Sequence, residues 1–403
     1  MRYFNRQLAG LITKAVKTFP AILIMGPRQA GKTTLLRREF GDNAKFVSLE
    51  EPDKRLWAKE DPVSFLDNYS APVIIDEFQY VPELLPYIKE RIDRDRNPGS
   101  YFLTGSQQFQ VMKNVSESLA GRIAVTTLLP FSLSEMNLKY NKDWNEWFTN
   151  LTEGKGKRVQ AKPGDIMING LYPELVANRQ VDRNLWFSSY IQTYLERDVK
   201  TLYDIGNLDR FSRFATLLAA RCGSILNYST YASDLGVSVP TIKSWFSILE
   251  ASFVVFRLLP YYKNIGNRLI KSPKFYFYDT GLAAYLAGIN SPDYLVHGSM
   301  AGQFFENLVV SEFFKNRTNF NENLNMFFVN DRRTWEIDLV IERNMKLIPV
   351  EIKLASTISS SHLENFKKLR EKADNVSPDN YLICGQSEAV RRSDSIITSW
   401  TYL

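Results

Sequence analysis

Short, largely apolar runs alternate along the first part of the chain with longer stretches in which apolar residues return every three or four positions. The runs at 21–25, 71–75, 100–104 and 123–129 are too short for helices and carry almost no polar face. Such a run, bounded by turn residues, reads as a strand buried on both sides, the kind found in parallel sheets covered by helices. Helical spacing opens at Thr34 and recurs over 107–119 and 190–199. Past residue 205 the pattern changes. Residues 227–236 and 239–250 read as two short helices joined by a tight turn at Gly236, with Pro240 in the first turn of the second and Ile242, Phe246 and Leu249 along one face. A strand at 253–259 follows and would begin a β-wing. Further on, a helix at 302–314 precedes strands at 335–341 and 346–354, a helix at 361–373 and a strand at 381–384. The pattern predicts an α/β chain in three parts, 1–204, 205–290 and 291–403.

The strand ends carry the chemistry. Gly26-Pro27-Arg28-Gln29-Ala30-Gly31-Lys32-Thr33 lies between the first strand and the helix that opens at Thr34. A strand, a glycine-rich turn and a helix N-terminus form a cradle whose N–H groups and dipole favour a phosphate. Lys32 can reach the β- and γ-phosphates of a nucleotide and the Thr33 hydroxyl can ligate Mg²⁺. A glycine turn that merely carries a lysine is the plainer reading. The second strand ends in Asp76-Glu77, where Asp76 would hold Mg²⁺ and Glu77 would polarise the attacking water; two surface acids capping a strand is the alternative. The third strand leads into Gly105-Ser106. Either Ser106 or Thr104 could contact the γ-phosphate or orient the water, and Ser106 could also cap the helix that follows. Gly170-Leu171-Tyr172-Pro173-Glu174 breaks a helical region, and Pro173 could abut the adenine. Arg197 reads as a second phosphate sensor or as a structural ion-pair partner.

In the second part, Lys243 and Ser244 would face a DNA groove or its phosphates if the helix pair binds DNA; packing against protein is the other use of such a pair. The basic residues Arg268, Lys271 and Lys274 could add a phosphate-facing patch; a solvated surface loop is the alternative. In the third part, Asp338 is followed after twelve residues by Glu351-Ile352-Lys353. Glu351 and Lys353 share one face of a strand. Beside Asp338 on a neighbouring strand, with Glu306 from the upstream helix, they match the metal-assisted logic of PD-(D/E)xK nucleases. An idle surface ion-pair cluster is the alternative.

Composition narrows the classes. The 403 residues carry a net charge of +6, which permits a polyanionic partner without demanding one. Cys222 and Cys384 stand far apart, which argues against a disulfide framework or a Cys-type zinc site, and no zincin or deaminase pattern surrounds His297 or His362, the only histidines. Metals should therefore be oxygen-ligated, Mg²⁺ or Mn²⁺. No apolar run is long enough to span a bilayer, and the first six residues lack a signal peptide's apolar core. A cytoplasmic protein with no membrane partner is expected.

The segments Gly-Pro-Arg-Gln-Ala-Gly-Lys-Thr-Thr-Leu, Ile-Ile-Asp-Glu, Leu-Thr-Gly-Ser, Ser-Leu-Ala-Gly-Arg, Leu-Glu-Arg-Asp-Val and Phe-Tyr-Asp-Thr-Gly-Leu, in this order, resemble a prokaryotic family of AAA+ ATPases with a C-terminal domain of unknown function. The resemblance covers essentially the whole chain. It implies an AAA+ domain with a helical lid, a winged-helix-like module and a PD-(D/E)xK-like domain. It implies ATP and Mg²⁺ as ligands and residues 26–34 with Pro173 around the nucleotide. It also implies a homo-oligomeric ring, a hexamer, in which Arg122 reaches a neighbour's γ-phosphate, although a helix-terminal arginine at this place is also favourable with the dipole. The expected function is ATP-driven binding and remodelling or translocation of DNA, including branched DNA in repair or recombination. An ATP-dependent oligomerisation switch in signalling or defence and an ATP-gated nuclease are the alternatives.

Overall fold

The computed structural model describes residues 3–106, 119–196, 208–261, 272–331, 334–355, 358–385, 389–392 and 394–403. The expected helix at 107–119, Arg197, Arg268 and Lys271 therefore fall outside the described residues or almost wholly so. The first sheet has five parallel strands: β1 (Ala21–Met25), β2 (Lys45–Ser48), β3 (Val73–Asp76), β4 (Tyr101–Gly105) and β5 (Ile123–Thr127). Their order is β2-β3-β4-β1-β5. Every residue of β1, β3 and β4 is buried, which is why these runs show no alternation in the sequence. Because β1 lies between β4 and β5 while the chain next returns at β2, the order reverses at the end of β1. Ligands of open parallel sheets bind at that switch point, beyond the carboxyl ends of the strands.

A second, mixed sheet of eight strands has the order β12-β13-β11-β10-β9-β8-β6-β7. Its members are β6 (Val255–Pro260), β7 (Lys274–Phe277), β8 (Asn325–Asp331), β9 (Trp335–Arg343), β10 (Lys346–Lys353), β11 (Asn380–Cys384), β12 (Val390–Arg392) and β13 (Ser395–Ser399). The long helix Ala301–Asn319 precedes β8, and the helix Glu364–Lys372 connects β10 to the parallel strand β11.

The strand expected to begin a free wing does not do so. β6 pairs antiparallel with β7 but also runs parallel to β8, through Leu259 opposite Phe327 and Pro260 opposite Phe328. Both strands of this hairpin are mostly buried, so neither face tolerates water, and joining the larger sheet covers them. The buried Asn307 of the long helix pins the hairpin by bonding both the N–H (2.8 Å) and the carbonyl (2.9 Å) of Phe277. The same packing corrects the reading of Lys274 as a surface contact for phosphate: its side chain is 5% exposed and faces carboxylates.

The helix pair itself is Tyr228–Leu235 and Val239–Ala251. Asn227 and Ser238 cap the two helices, and Gly236 takes the left-handed conformation that closes the first (φ 62°). Ile242, Trp245, Phe246 and Leu249 are buried, while Lys243 and Ser244 are exposed.

The first part packs directly on the last. Lys139 donates to the Tyr402 carbonyl at 3.1 Å and to the Lys155 carbonyl at 3.4 Å. Burial pulls its pKa from 10.5 down to about 8. A lysine whose folded pKa is depressed binds fewer protons folded than unfolded between those two values, so stability rises with pH across that window. From pH 8 to 10.5 the wild-type protein is expected to gain stability relative to Lys139→Met, measured by urea unfolding at each pH. Parallel curves for the two proteins would remove the desolvated amine from the account.

Candidate active site and carboxylate cluster

The turn after β1 is held by close approaches that only glycine allows. Gly26 has φ 149°, and a Cβ there would lie 2.0 Å from the Leu128 carbonyl oxygen. Gly31 is left-handed at φ 88° and serves as N-cap of the helix Lys32–Phe40. The Lys32 ammonium curls into the turn, donating to the carbonyls of Gly26 and Pro27 at 3.0 Å each, with Ser106 Oγ at 3.5 Å. Burial lowers its pKa, opposed by the charges of Glu77 and Asp76. Arg28 bonds the Tyr80 hydroxyl at 2.8 Å and faces Glu50 at 3.8 Å. Thr34 stands exposed on the first turn. Pro173 lies over the turn: its Cγ would be 3.9 Å from a Cβ at Gly31. It is held there because buried Asp279 accepts from Leu171 N at 2.6 Å while capping the helix Thr280–Leu286 through Leu282 N at 2.9 Å. This explains the Tyr-Asp-Thr-Gly-Leu segment structurally.

The strand ends converge on this turn. Thr33 Oγ1 donates to Asp76 Oδ1 at 2.6 Å, and Thr104 Oγ1 donates to the same oxygen at 2.7 Å while accepting from Glu77 N at 2.9 Å. Ser106 Oγ donates to the two Glu77 carboxylate oxygens at 2.8 and 2.6 Å. The sequence offers Thr104 and Ser106 as alternatives; each has its own acid. Glu77 is held left-handed at φ 51°, a strained conformation for a side chain of this kind, in a site that fixes it from several directions. Burial pushes its pKa up, but Lys32 and the hydrogen bonds from Ser106 and Gln79 outweigh this and hold it below the usual carboxylate value. Glu77 is thus ionised at neutral pH. A hydroxyl and a carboxylate oxygen 2.6 Å apart are hard donors of the type Mg²⁺ takes.

Arg122 does not join this group. Its carbonyl accepts from Ala21 N at 3.2 Å, at the start of β1, so it sits about 16 Å below the turn, one five-residue strand away. Its side chain pairs with Asp93 at 2.5 Å, which holds the Asp93 carboxyl below its usual pKa.

Arg6 belongs to the site and carries no local sequence signal. It is 5% exposed. Its guanidinium donates to Ala30 O at 2.7 Å, to Leu129 O at 2.6 Å and to Glu135 Oε1 at 3.1 Å. Glu135 is itself fixed by a capping box with Ser132. That Ser-x-x-Glu spacing was readable; the partner arginine, 129 residues away, was not.

In the C-terminal sheet, the four expected residues come together. Lys353 Nζ lies 3.1 Å from Asp338 Oδ2 and 2.9 Å from Glu351 Oε1, and Ile352 N donates to Asp338 Oδ2 at 2.8 Å. Glu306 accepts from Tyr276 OH at 2.6 Å and from Lys274 Nζ at 2.8 Å. Glu336, two residues before Asp338 on β9, completes the cluster and also pairs with Lys274. Burial, then the neighbouring charge of Asp338, pushes Glu351 up to about 8 and raises Glu306.

Residues 18–137 match the family described as AAA domain, residues 162–293 a domain of unknown function (DUF8612), and residues 301–403 another (DUF4143). An uncharacterized protein of Mycobacterium tuberculosis is 29% identical over 358 residues, 89% of this chain and 75% of that one. One from Methanocaldococcus jannaschii is 24% identical over 375 residues, 88% and 80% of the two chains. A solved Walker-type ATPase of Pyrococcus abyssi has a TM-score of 0.43 at 15% identity, covering 70% of this chain and 96% of its own.

Proposed function

The chain is a P-loop AAA ATPase followed by a C-terminal domain of unknown function, and from that premise we propose that it couples ATP hydrolysis to the movement or remodelling of DNA. The turn at 26–33 and Lys32 receive the triphosphate, with Pro173 over its outer side. Thr33 and Asp76 would hold Mg²⁺, which would supply charge neutralisation on the phosphates. Glu77 accepts the proton of the attacking water, and Ser106 and Thr104 fix the two acids relative to each other. Arg122 acts in trans, from a neighbouring copy in a ring of six. Its distance from its own phosphate turn supports this role, since it cannot reach a nucleotide there.

The observation that carries the DNA reading is the capped helix pair whose second helix leaves Lys243 and Ser244 exposed over a buried apolar face. The test is the ATPase rate with no DNA, duplex, single strand and four-way junction. At least one DNA is expected to raise the rate, and the stimulation to fall steeply with salt. Equal rates in all four would turn the reading to an ATP-set oligomerisation switch. That second reading is favoured by the buried polar contacts that run from Ala30 through Arg6 and Glu135 toward the helix Ala301–Asn319.

A further inference from the structure

The carboxylates of the C-terminal sheet form two pairs, and each pair is bridged by a lysine. Lys353 bridges Asp338 and Glu351, at 3.1 and 2.9 Å, and is 33% exposed, so its ammonium can move out into water. Lys274 bridges Glu306, at 2.8 Å, and Glu336, and is 5% exposed. Ligand oxygens of Glu306, Glu336 and Asp338 lie within 4.8 Å of one another, close enough to share one cation. Three carboxylates brought together at this burial need a positive charge among them. The usual candidate is a divalent ion, and the oxygen-only donor set suits Mg²⁺ or Mn²⁺. Yet the bridging position is taken by an ammonium that the fold itself supplies.

We infer that Lys274 is the resident cation of the Glu306–Glu336–Asp338 cluster, and that a divalent metal enters there only when this lysine is removed. A metal bridging Glu306 and Glu336 would use the oxygens that Lys274 bonds and would stand against the positive charge of that buried ammonium. The lysine cannot swing aside easily. It opens β7, where its backbone is bridged to Ile225 and Leu226 N donates to the Pro273 carbonyl at 2.8 Å. Those contacts lie just before Asn227, the cap of the first helix of the pair, so the backbone that carries the ammonium is anchored beside the helix pair. The ammonium also lies over the Phe328 ring, 5.6 Å from the centroid. The arrangement accounts for the disagreement between a nuclease-like donor set and a site that holds its own countercharge.

The inference rests on reading this cluster as metal-capable, not on any cleavage. The test is titration of the ATP-free full-length chain with Mn²⁺, followed by electron paramagnetic resonance of the free ion and by thermal unfolding. Wild type is expected to show no Mn²⁺ site that Glu306→Gln removes. Lys274→Met is expected to gain a site at least tenfold tighter, lost again in the double variant Lys274→Met/Glu306→Gln. If Lys274→Met unfolds on its own, Mn²⁺ restoring its fold but not that of the double variant supports the inference equally. A wild-type Mn²⁺ site abolished by Glu306→Gln and unchanged in Lys274→Met overturns it, as does a Lys274→Met that gains no Mn²⁺ response. Plasmid cleavage by wild type, with Asp338→Ala as control, reports separately on the nuclease reading. Absence of cleavage leaves the metal result standing.

Discussion

Glu77→Gln is expected to bind ATP as wild type does and to hydrolyse it more slowly by a factor on the order of 10²–10⁴, the contribution of a positioned general base. The substitution keeps the shape of the side chain and an acceptor for Ser106, whose hydroxyl lies 2.6 Å from the carboxylate, so the surrounding contacts persist. What it removes is the negative charge that the proposed mechanism uses to take the proton. That charge is present across the neutral range because Lys32, Ser106 and Gln79 together outweigh burial and hold the group below its usual pKa. Single-turnover hydrolysis measured beside nucleotide affinity separates the two effects. Unchanged turnover would move the base elsewhere. The same variant probes the ring: mixed with Arg122→Ala, it should restore activity, because about a quarter of the sites in a random mixture then combine an intact Glu77 with an intact neighbouring Arg122. A mixture no more active than its components would leave Arg122 as the structural partner of Asp93.

The legible part of this site was the part coded by contiguous sequence. Asp76, Glu77, Thr104 and Ser106 could be found by following the apolar runs of β3 and β4 to their ends, and Lys32 and Thr33 by the glycine-rich turn after β1. Arg6 could not be found this way, since its partners at Ala30, Leu129 and Glu135 are tertiary neighbours only. Glu336 stood within reach of the argument that found Glu351 and Lys353: on β9 it is two residues from Asp338 and shares its face, but the Asp…Glu-x-Lys spacing drew attention past it. Proximity of Lys274 to other basic residues in sequence suggested a phosphate-facing patch, whereas β7 buries it. The fate of the hairpin turned on the parallel pairing of β6 with β8, between residues 68 apart in sequence such as Leu259 and Phe327, which no local periodicity encodes. Burial on both strands was the available hint, since a wing exposed to solvent should alternate.

The ion pair that ties the last domain to the first predicts the largest stability effect. Glu312 and Lys315, one turn apart on the helix Ala301–Asn319, are 0% and 1% exposed. Lys315 Nζ lies 2.9 Å from Glu312 Oε1 and donates to the Phe131 carbonyl at 3.0 Å, while Glu312 Oε2 accepts from Leu133 N at 2.7 Å. Glu312→Ala leaves a buried ammonium without its acid and a buried N–H without an acceptor. Breaking one side of such a pair costs about 3–5 kcal/mol, while replacing both sides with apolar groups of similar size is often near neutral. The double variant Glu312→Met/Lys315→Met should therefore be more stable than Glu312→Ala, although it contains two substitutions, when both are compared by urea denaturation. The orphaned Leu133 N is common to both variants, so it does not contribute to the difference between them. Because Leu133 lies inside the Ser132–Glu135 capping box, and Glu135 positions Arg6 against Ala30, loosening this end should also weaken ATP binding below the unfolding transition. A Glu312→Ala protein within about 0.5 kcal/mol of wild type, the range of ordinary surface substitutions, would show that the helix does not depend on the pair for its seat against the ATPase core.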